Sequence, residues 1–192
     1  METNNRNDFT NQSGRNGTPR TIYERAARYG VWFGVWFTVL FALSVVSMHF
    51  PLLNIVAMMM ALMVPYFAFR FQRKTFVDSH GLSSFSAIWL QGILSFAGGS
   101  LILCATSYVY MRWMNPDFIL DTVRMGIDFY NNDAMGEAGA EIADQLQMMV
   151  DLKLLPQPVT VSVMWLWLGL FSGSLLSLVL AMAVRLIKVP IK

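Results

Sequence analysis

Four stretches of the chain carry no Asp, Glu, Lys or Arg: Tyr29–Met48, Leu52–Phe69, Phe85–Met111 and Val159–Val184. They are 20, 18, 27 and 26 residues long and consist mainly of Leu, Val, Met, Phe, Trp and Ala. A helix rises about 1.5 Å per residue, so roughly 20 residues cross a hydrocarbon core of about 30 Å. The pattern predicts an all-α fold, a bundle of four transmembrane helices with spans near 29–49, 51–70, 84–111 and 159–184. Between the third and fourth spans lie 47 residues, 112–158, with a different periodicity. Phe118, Val123 and Ile127 recur at helical spacing within 118–130, and Ile142, Leu146, Met149 and Val150 within 134–155. Two amphipathic helices are expected there, lying on the outer membrane surface or capping the bundle. Asn131-Asn132-Asp133 separates them, and the Pro156–Pro158 pair ends the second.

Residues 1–20 are rich in Asn, Gly, Thr and Arg and cannot bury a core; they read as a disordered cytoplasmic tail. Residues 21–192 form a single four-span membrane domain. The hydrophilic lead before the first span is too long for a signal-peptide n-region, so that span is expected to be a retained signal anchor. Thr21–Arg28 should extend it as a juxtamembrane helix. The link His49-Phe50-Pro51 is short enough to make spans one and two an antiparallel hairpin, with Pro51 in the first turn of span two. Pro65 should kink span two. Arg70–Ser84 reads as a short basic loop broken at Gly81, with Ser83 or Ser84 as N-cap of span three.

Charge orients this layout. Of fourteen basic residues, eleven precede span one, lie between spans two and three, or follow span four; only Arg112, Arg124 and Lys153 fall in 112–158. Eight of the twelve acidic residues fall in that same segment. The positive-inside rule therefore puts both termini and the Arg70–Lys74 loop in the cytoplasm, and 112–158 outside. Trp113, Trp165 and Trp167 near outer ends, and Trp32 and Trp89 near inner ends, agree with interfacial anchoring. Charged residues make up 14% of the chain against about 25% in soluble domains, which again indicates a membrane protein. Nothing in it suggests nucleic-acid binding.

Candidate chemistry is sparse. Gly169, Gly173, Ser177 and Ala181 make a stripe of small residues on span four where another backbone can approach. Either a neighbouring span or a second copy can fill it, so homo-oligomerisation stays open, with packing inside the chain preferred. Gly30 and Gly34 form a weaker pair of the same kind. Span three carries Gln91, Ser95 and Gly99 at spacing four; the Gln91 amide should face inward and bind another helix, because facing lipid is costly. Asn54 is the other amide in the spans. Pumps and coupled transporters rely on Asp, Glu, Arg or His inside the membrane, and the four uncharged runs contain none of these. Cys104 has no partner cysteine. Met58-Met59-Met60 points around a helix, so packing is a better reading than copper(I) ligation. Glu137, Glu141 and Asp144 share one helix face without a calcium-loop pattern. No cofactor, metal or catalytic residue is assigned.

Several short motifs carry a resemblance: the basic segment after span two, Gly81-Leu82-Ser83-Ser84-Phe85, Gly92, Asn115-Pro116-Asp117-Phe118-Ile119, and Phe171-Ser172-Gly173-Ser174-Leu175-Leu176-Ser177-Leu178. In these the chain resembles a bacterial family of four-span membrane proteins, a domain of unknown function numbered 4199. The resemblance implies the four-span fold with a long outer segment, and brings no activity or site residues. The expectation is a non-enzymatic accessory or interaction protein of the bacterial inner membrane. Its contacts to lipid or to a protein partner would run through Phe118, Val123, Ile127, Ile142 and Leu146. A small oligomeric channel or transporter subunit, with Gln91, Ser95 and Asn54 lining a pore, is the alternative.

Overall fold

The structure is a computed structural model that describes residues 22–48, 50–78, 84–131 and 136–186. The tail 1–20, His49, His80, Gly81–Ser83 and Asn132–Asp133 lie outside the described residues. The helices, in chain order, are α1 Ile22–Ser47, α2 Pro51–Asp78, α3 Phe85–Val109, α4 Phe118–Tyr130, α5 Gly136–Asp151 and α6 Pro158–Leu186. A π-helical turn, Tyr110–Met114, continues α3. With that turn included, α1, α2, α3 and α6 are each long and apolar enough to cross a membrane. α4 and α5 are the amphipathic pair between spans three and four.

The polarity of the bundle is reversed relative to a soluble domain. Leu52, Met58, Leu62, Trp167, Phe171 and Val179 are all more than 60% exposed. Gln72, Thr75, Gln91, Ser95, Ser100, Ser107, Ser162 and Ser177 are buried instead. A continuous apolar exterior of this extent is unfavourable in water and matches the hydrocarbon of a bilayer. The protein is a multi-pass membrane protein.

α3 is the hub, packed along α1 on one side and α6 on the other. The α1–α3 crossing is backbone against backbone. A Cβ on Gly30 would lie 3.3 Å from the Ser95 carbonyl oxygen and 3.4 Å from the Gly98 Cα. One on Gly99 would lie 2.9 Å from the Phe33 Cβ and 3.3 Å from the Gly34 amide nitrogen. The Gly30–Gly34 pair, weak as a sequence signal, is thus one half of this crossing, and Gly98–Gly99 is the other. Burial confirms the role: Gly30, Gly34 and Gly99 are all buried. α2 joins along its basic half, where Phe67, Ala68 and Phe71 pack with Trp32, Phe33 and Phe96. Phe33 and Phe96 stack at 4.8 Å, and Tyr29 stacks on Phe71 at 4.4 Å.

Three boundaries differ from the sequence reading. First, Arg70–Asp78 is two further turns of α2 rather than loop. Charged residues at Arg70, Arg73 and Lys74 end the apolar run without ending the helix. Gln72, Thr75 and Phe76 on the other face are buried in the bundle, and packing holds the extension. Ser84 is the N-cap of α3, its hydroxyl accepting from the Ala87 amide at 3.3 Å. Helix α2 also runs unbroken through Pro65. Second, α3 gains the π-helical turn, in which the Asn115 amide donates to the Tyr110 carbonyl at 2.9 Å. That wider turn buries Met111 and leaves Trp113 exposed. Third, α5 stops at Asp151. Lys153 sits at φ 53°, the Leu154 amide donates to the Met149 carbonyl at 2.9 Å, and the Lys153 amide donates to Val150 at 3.1 Å. This is a Schellman ending, with lysine where glycine is usual.

Candidate functional site

At the acidic end of the bundle α2 contributes little. From Leu52 to Met63 only Ala57 is buried, with Leu53 and Met60 half-buried. α1 and α3 nevertheless continue upward with the core-facing rows that began at Phe33 and Phe96. On α1 these are Phe37, Leu40, Phe41, Ser44 and Val45, with Met48 just past its end, at the three- and four-residue spacing of one helix face. On α3 the row reaches Leu103, and α6 adds Val161 and Trp165. These residues wall a cavity of about 520 Å³.

α4 borders it. Phe118, Ile119, Thr122 and Val123 form a further wall, and the exposed Ser44, Thr122 and Trp165 leave the space open. An aromatic triangle fixes the position: Phe118 lies 6.1 Å from Phe41 and 5.5 Å from Tyr110, and Phe41 lies 5.6 Å from Tyr110, each pair edge-on. The π-helical turn contributes Tyr110 to that triangle. α5 then packs on α4, with Gly139 and Ala143 buried and Leu146 within van der Waals reach of a Cβ on Gly126. Ile127 is half-buried, while Ile142 is 41% exposed on the adjoining face.

The lining has no titratable side chain. Its two aliphatic hydroxyls are already bonded to their own helices, Ser44 to the Leu40 carbonyl at 2.9 Å and Thr122 to the Phe118 carbonyl at 2.7 Å. The space can therefore hold an apolar group by dispersion and exclusion of water, and its volume falls within the usual range for small-molecule sites, roughly 300–1,000 Å³.

The polar groups converge elsewhere, in the basic half between α2, α3 and α6. Gln91 is 1% exposed and its amide donates to the Thr75 hydroxyl at 2.9 Å. Ser95 donates to the Gln91 carbonyl at 2.8 Å, and Gln72 donates to the Ser177 carbonyl at 3.4 Å. Trp89 donates to the Ser174 carbonyl at 3.3 Å. The side-chain carbonyl oxygens of Gln72 and Gln91 and the hydroxyls of Ser100 and Ser177 are buried without a protein partner. Beside Gln72, Gln91 and Ser95 is a space of about 10 Å³, close to the minimum for a single water. Gln72 and Thr75 escaped the sequence reading because they sit among charges, outside the uncharged run. Their signal was a glutamine and a threonine at i and i+3 opposite the charged face.

The small residues of α6 face α3. A Cβ on Gly169 would collide with the Ser100 hydroxyl, and one on Gly173 with the Phe96 ring and its Cβ. Ser177 is fully buried and abuts Gly92. Asn54 is exposed on α2, apart from the Gln91 cluster. Met58 and Met59 point outward, and Cys104 is half-buried and free. Glu137, Glu141 and Asp144 are exposed. Among the described residues no three His, Cys, Asp or Glu side chains gather to hold a metal.

No curated protein and no solved structure matches the chain. A family model described as a protein of unknown function (DUF4199) matches residues 28–185, from the basic end of α1 to the last turn of α6. With four spans, the amphipathic pair and most of its length inside that match, the chain belongs to the DUF4199 family.

Proposed function

We propose that this protein is a non-enzymatic accessory protein of the bacterial inner membrane, with both termini in the cytoplasm, that takes an apolar chain into the cavity beneath α4. The observation that carries the reading is the cavity itself: about 520 Å³, walled by three spans and a docked amphipathic helix, with an almost wholly apolar lining. An apolar concavity of that size facing hydrocarbon offers dispersion contacts that a lipid acyl chain matches. The exposed face of α5, with Ile142 and Met148, supplies apolar area for a protein partner. The channel alternative has less support: the polar groups of one copy surround about one water volume, and Asn54 is remote from them.

A phospholipid bearing a photoreactive acyl chain tests the reading. Crosslinks should map to Leu40, Leu103 and Val123, and Val123→Trp, which fills the cavity, should reduce them severalfold. Labelling spread evenly over Leu52, Leu62 and Phe171, with no excess at the cavity, would mean that the space takes no lipid.

Orientation has its own test. In a Cys104→Ser background, an impermeant thiol reagent on intact cells should label Asp144→Cys and spare Gly14→Cys. The opposite pattern would invert the topology and place the amphipathic pair in the cytoplasm.

A further inference from the structure

At the basic end, the helices α1 and α2 enclose a second space of about 510 Å³. Its floor is aromatic: Tyr29 stacks on Phe71, and Trp32 meets Phe71 edge-on at 5.2 Å. Its rim is charged. Arg25 pairs with Asp78 at 3.3 Å, tying the two helices together and neutralising both groups. Arg28 and Lys74 line the same space with no ion-pair partner among the described residues, and Glu24 completes the rim. Outside that pair the rim carries two cations, Arg28 and Lys74, against the one carboxylate of Glu24, so its charge balance is positive.

Arg28 and Trp32 line a further groove of about 450 Å³ as well. From there it follows Val31, Val35 and Val39 along α1, with Trp36 of the same helix and Met60 of α2 also lining it. The three valines are all more than 40% exposed. From Arg28 to Val39 is eleven residues, about 16 Å of helix, close to half of a hydrocarbon core of about 30 Å. A cationic pocket at headgroup depth therefore runs into an apolar groove one leaflet long.

We propose that these two spaces form one binding site for an anionic phospholipid: its phosphate-bearing headgroup between Arg28 and Lys74, and one acyl chain along Val31, Val35 and Val39. Charge selects the headgroup, because a zwitterionic one brings its own cation toward the two that are present. The groove selects a lipid over soluble phosphate, because only a lipid occupies both parts. Basic pockets between spans are a known means of headgroup recognition, each cation contributing about fivefold in affinity. The site lies at the opposite end of the bundle from the cavity beneath α4 and does not depend on it.

The full chain in detergent, titrated with phosphatidylglycerol and separately with phosphatidylcholine under native mass spectrometry, tests the site. Phosphatidylglycerol should bind at least severalfold more tightly. Arg28→Gln and Lys74→Gln should each weaken it about fivefold, whereas Arg73→Gln, which removes the same charge from an exposed position outside the pocket, should leave it unchanged. Val35→Trp should weaken phosphatidylglycerol while leaving the helical content and detergent stability as they were. Equal loss from Arg73→Gln would reduce the effect to general surface charge. Full competition by glycerol phosphate would show a headgroup site without a chain. Equal binding of the two lipids would remove charge selection. Any of these three results overturns the proposal.

Discussion

Replacing Gly173 by leucine should destabilise the bundle by about 1–3 kcal/mol or more, the range for inserting bulk into a packed interior. The Cβ alone would run into the Phe96 ring and the Phe96 Cβ. Phe96 has nowhere to retreat, because its ring stacks on Phe33 at 4.8 Å and both are buried. Relief requires α6 to move away from α3, which would also pull Ser177 from Gln72 and Ser174 from Trp89. The check is the midpoint of denaturant unfolding in detergent, with Phe171→Leu, on the 70% exposed face of the same helix, as control. Gly173→Leu should lower the midpoint while the control leaves it in place. Equal midpoints would mean that this face of α6 contacts lipid.

Truncating Phe118 to alanine should release α4 without dismantling the spans. Phe118 is the one aromatic that α4 itself contributes to the triangle with Phe41 and Tyr110. Its loss removes roughly 2–3 kcal/mol of burial and ring contact, given that the side chain is half rather than fully buried. A docked 13-residue helix has few other anchors, and local opening is set by the contacts of the element that opens. Hydrogen exchange at Ile119–Val123 should accelerate by one to two orders of magnitude, while α3 and α6 stay protected. Photoreactive-lipid labelling at Leu40 and Leu103 should change in the same variant, since the cavity loses a wall. If exchange across α4 is unaltered, the triangle is incidental to docking and α5 or the bilayer holds the helix.

Hydropathy and charge reach far in this chain because a bilayer imposes a length and a composition on whatever crosses it. The four uncharged runs translate directly into spans, since backbone groups inside hydrocarbon must be bonded within the segment and a helix does this alone. The amphipathic pair was legible for a related reason: apolar positions at helical spacing, between polar ones, need a boundary to lie against. Periodicity could not say which boundary. Only the tertiary structure shows α4 turned onto the bundle as a wall beside Phe41, because that depends on the π-helical turn at Tyr110–Met114 and on α2 leaving space at the acidic end.

Uncharged runs mark hydrocarbon rather than helix ends, which is why Arg70–Asp78 read as loop while the structure continues α2 through it. The charges end the lipid-facing strip, whereas Gln72, Thr75 and Phe76 on the inward side keep packing. Gly30–Gly34 illustrates the same division. A pair of glycines four apart says that a close approach is permitted, but the partner is a property of three-dimensional crossing, and here Ser95, Gly98 and Gly99 supply it. The cationic pocket depends on tertiary placement most of all. Arg28 and Lys74 are 46 residues apart, and the sequence determines only that both lie at the basic end. The antiparallel packing of α1 and α2 brings them to one rim, and the Arg25–Asp78 pair leaves those two charges available.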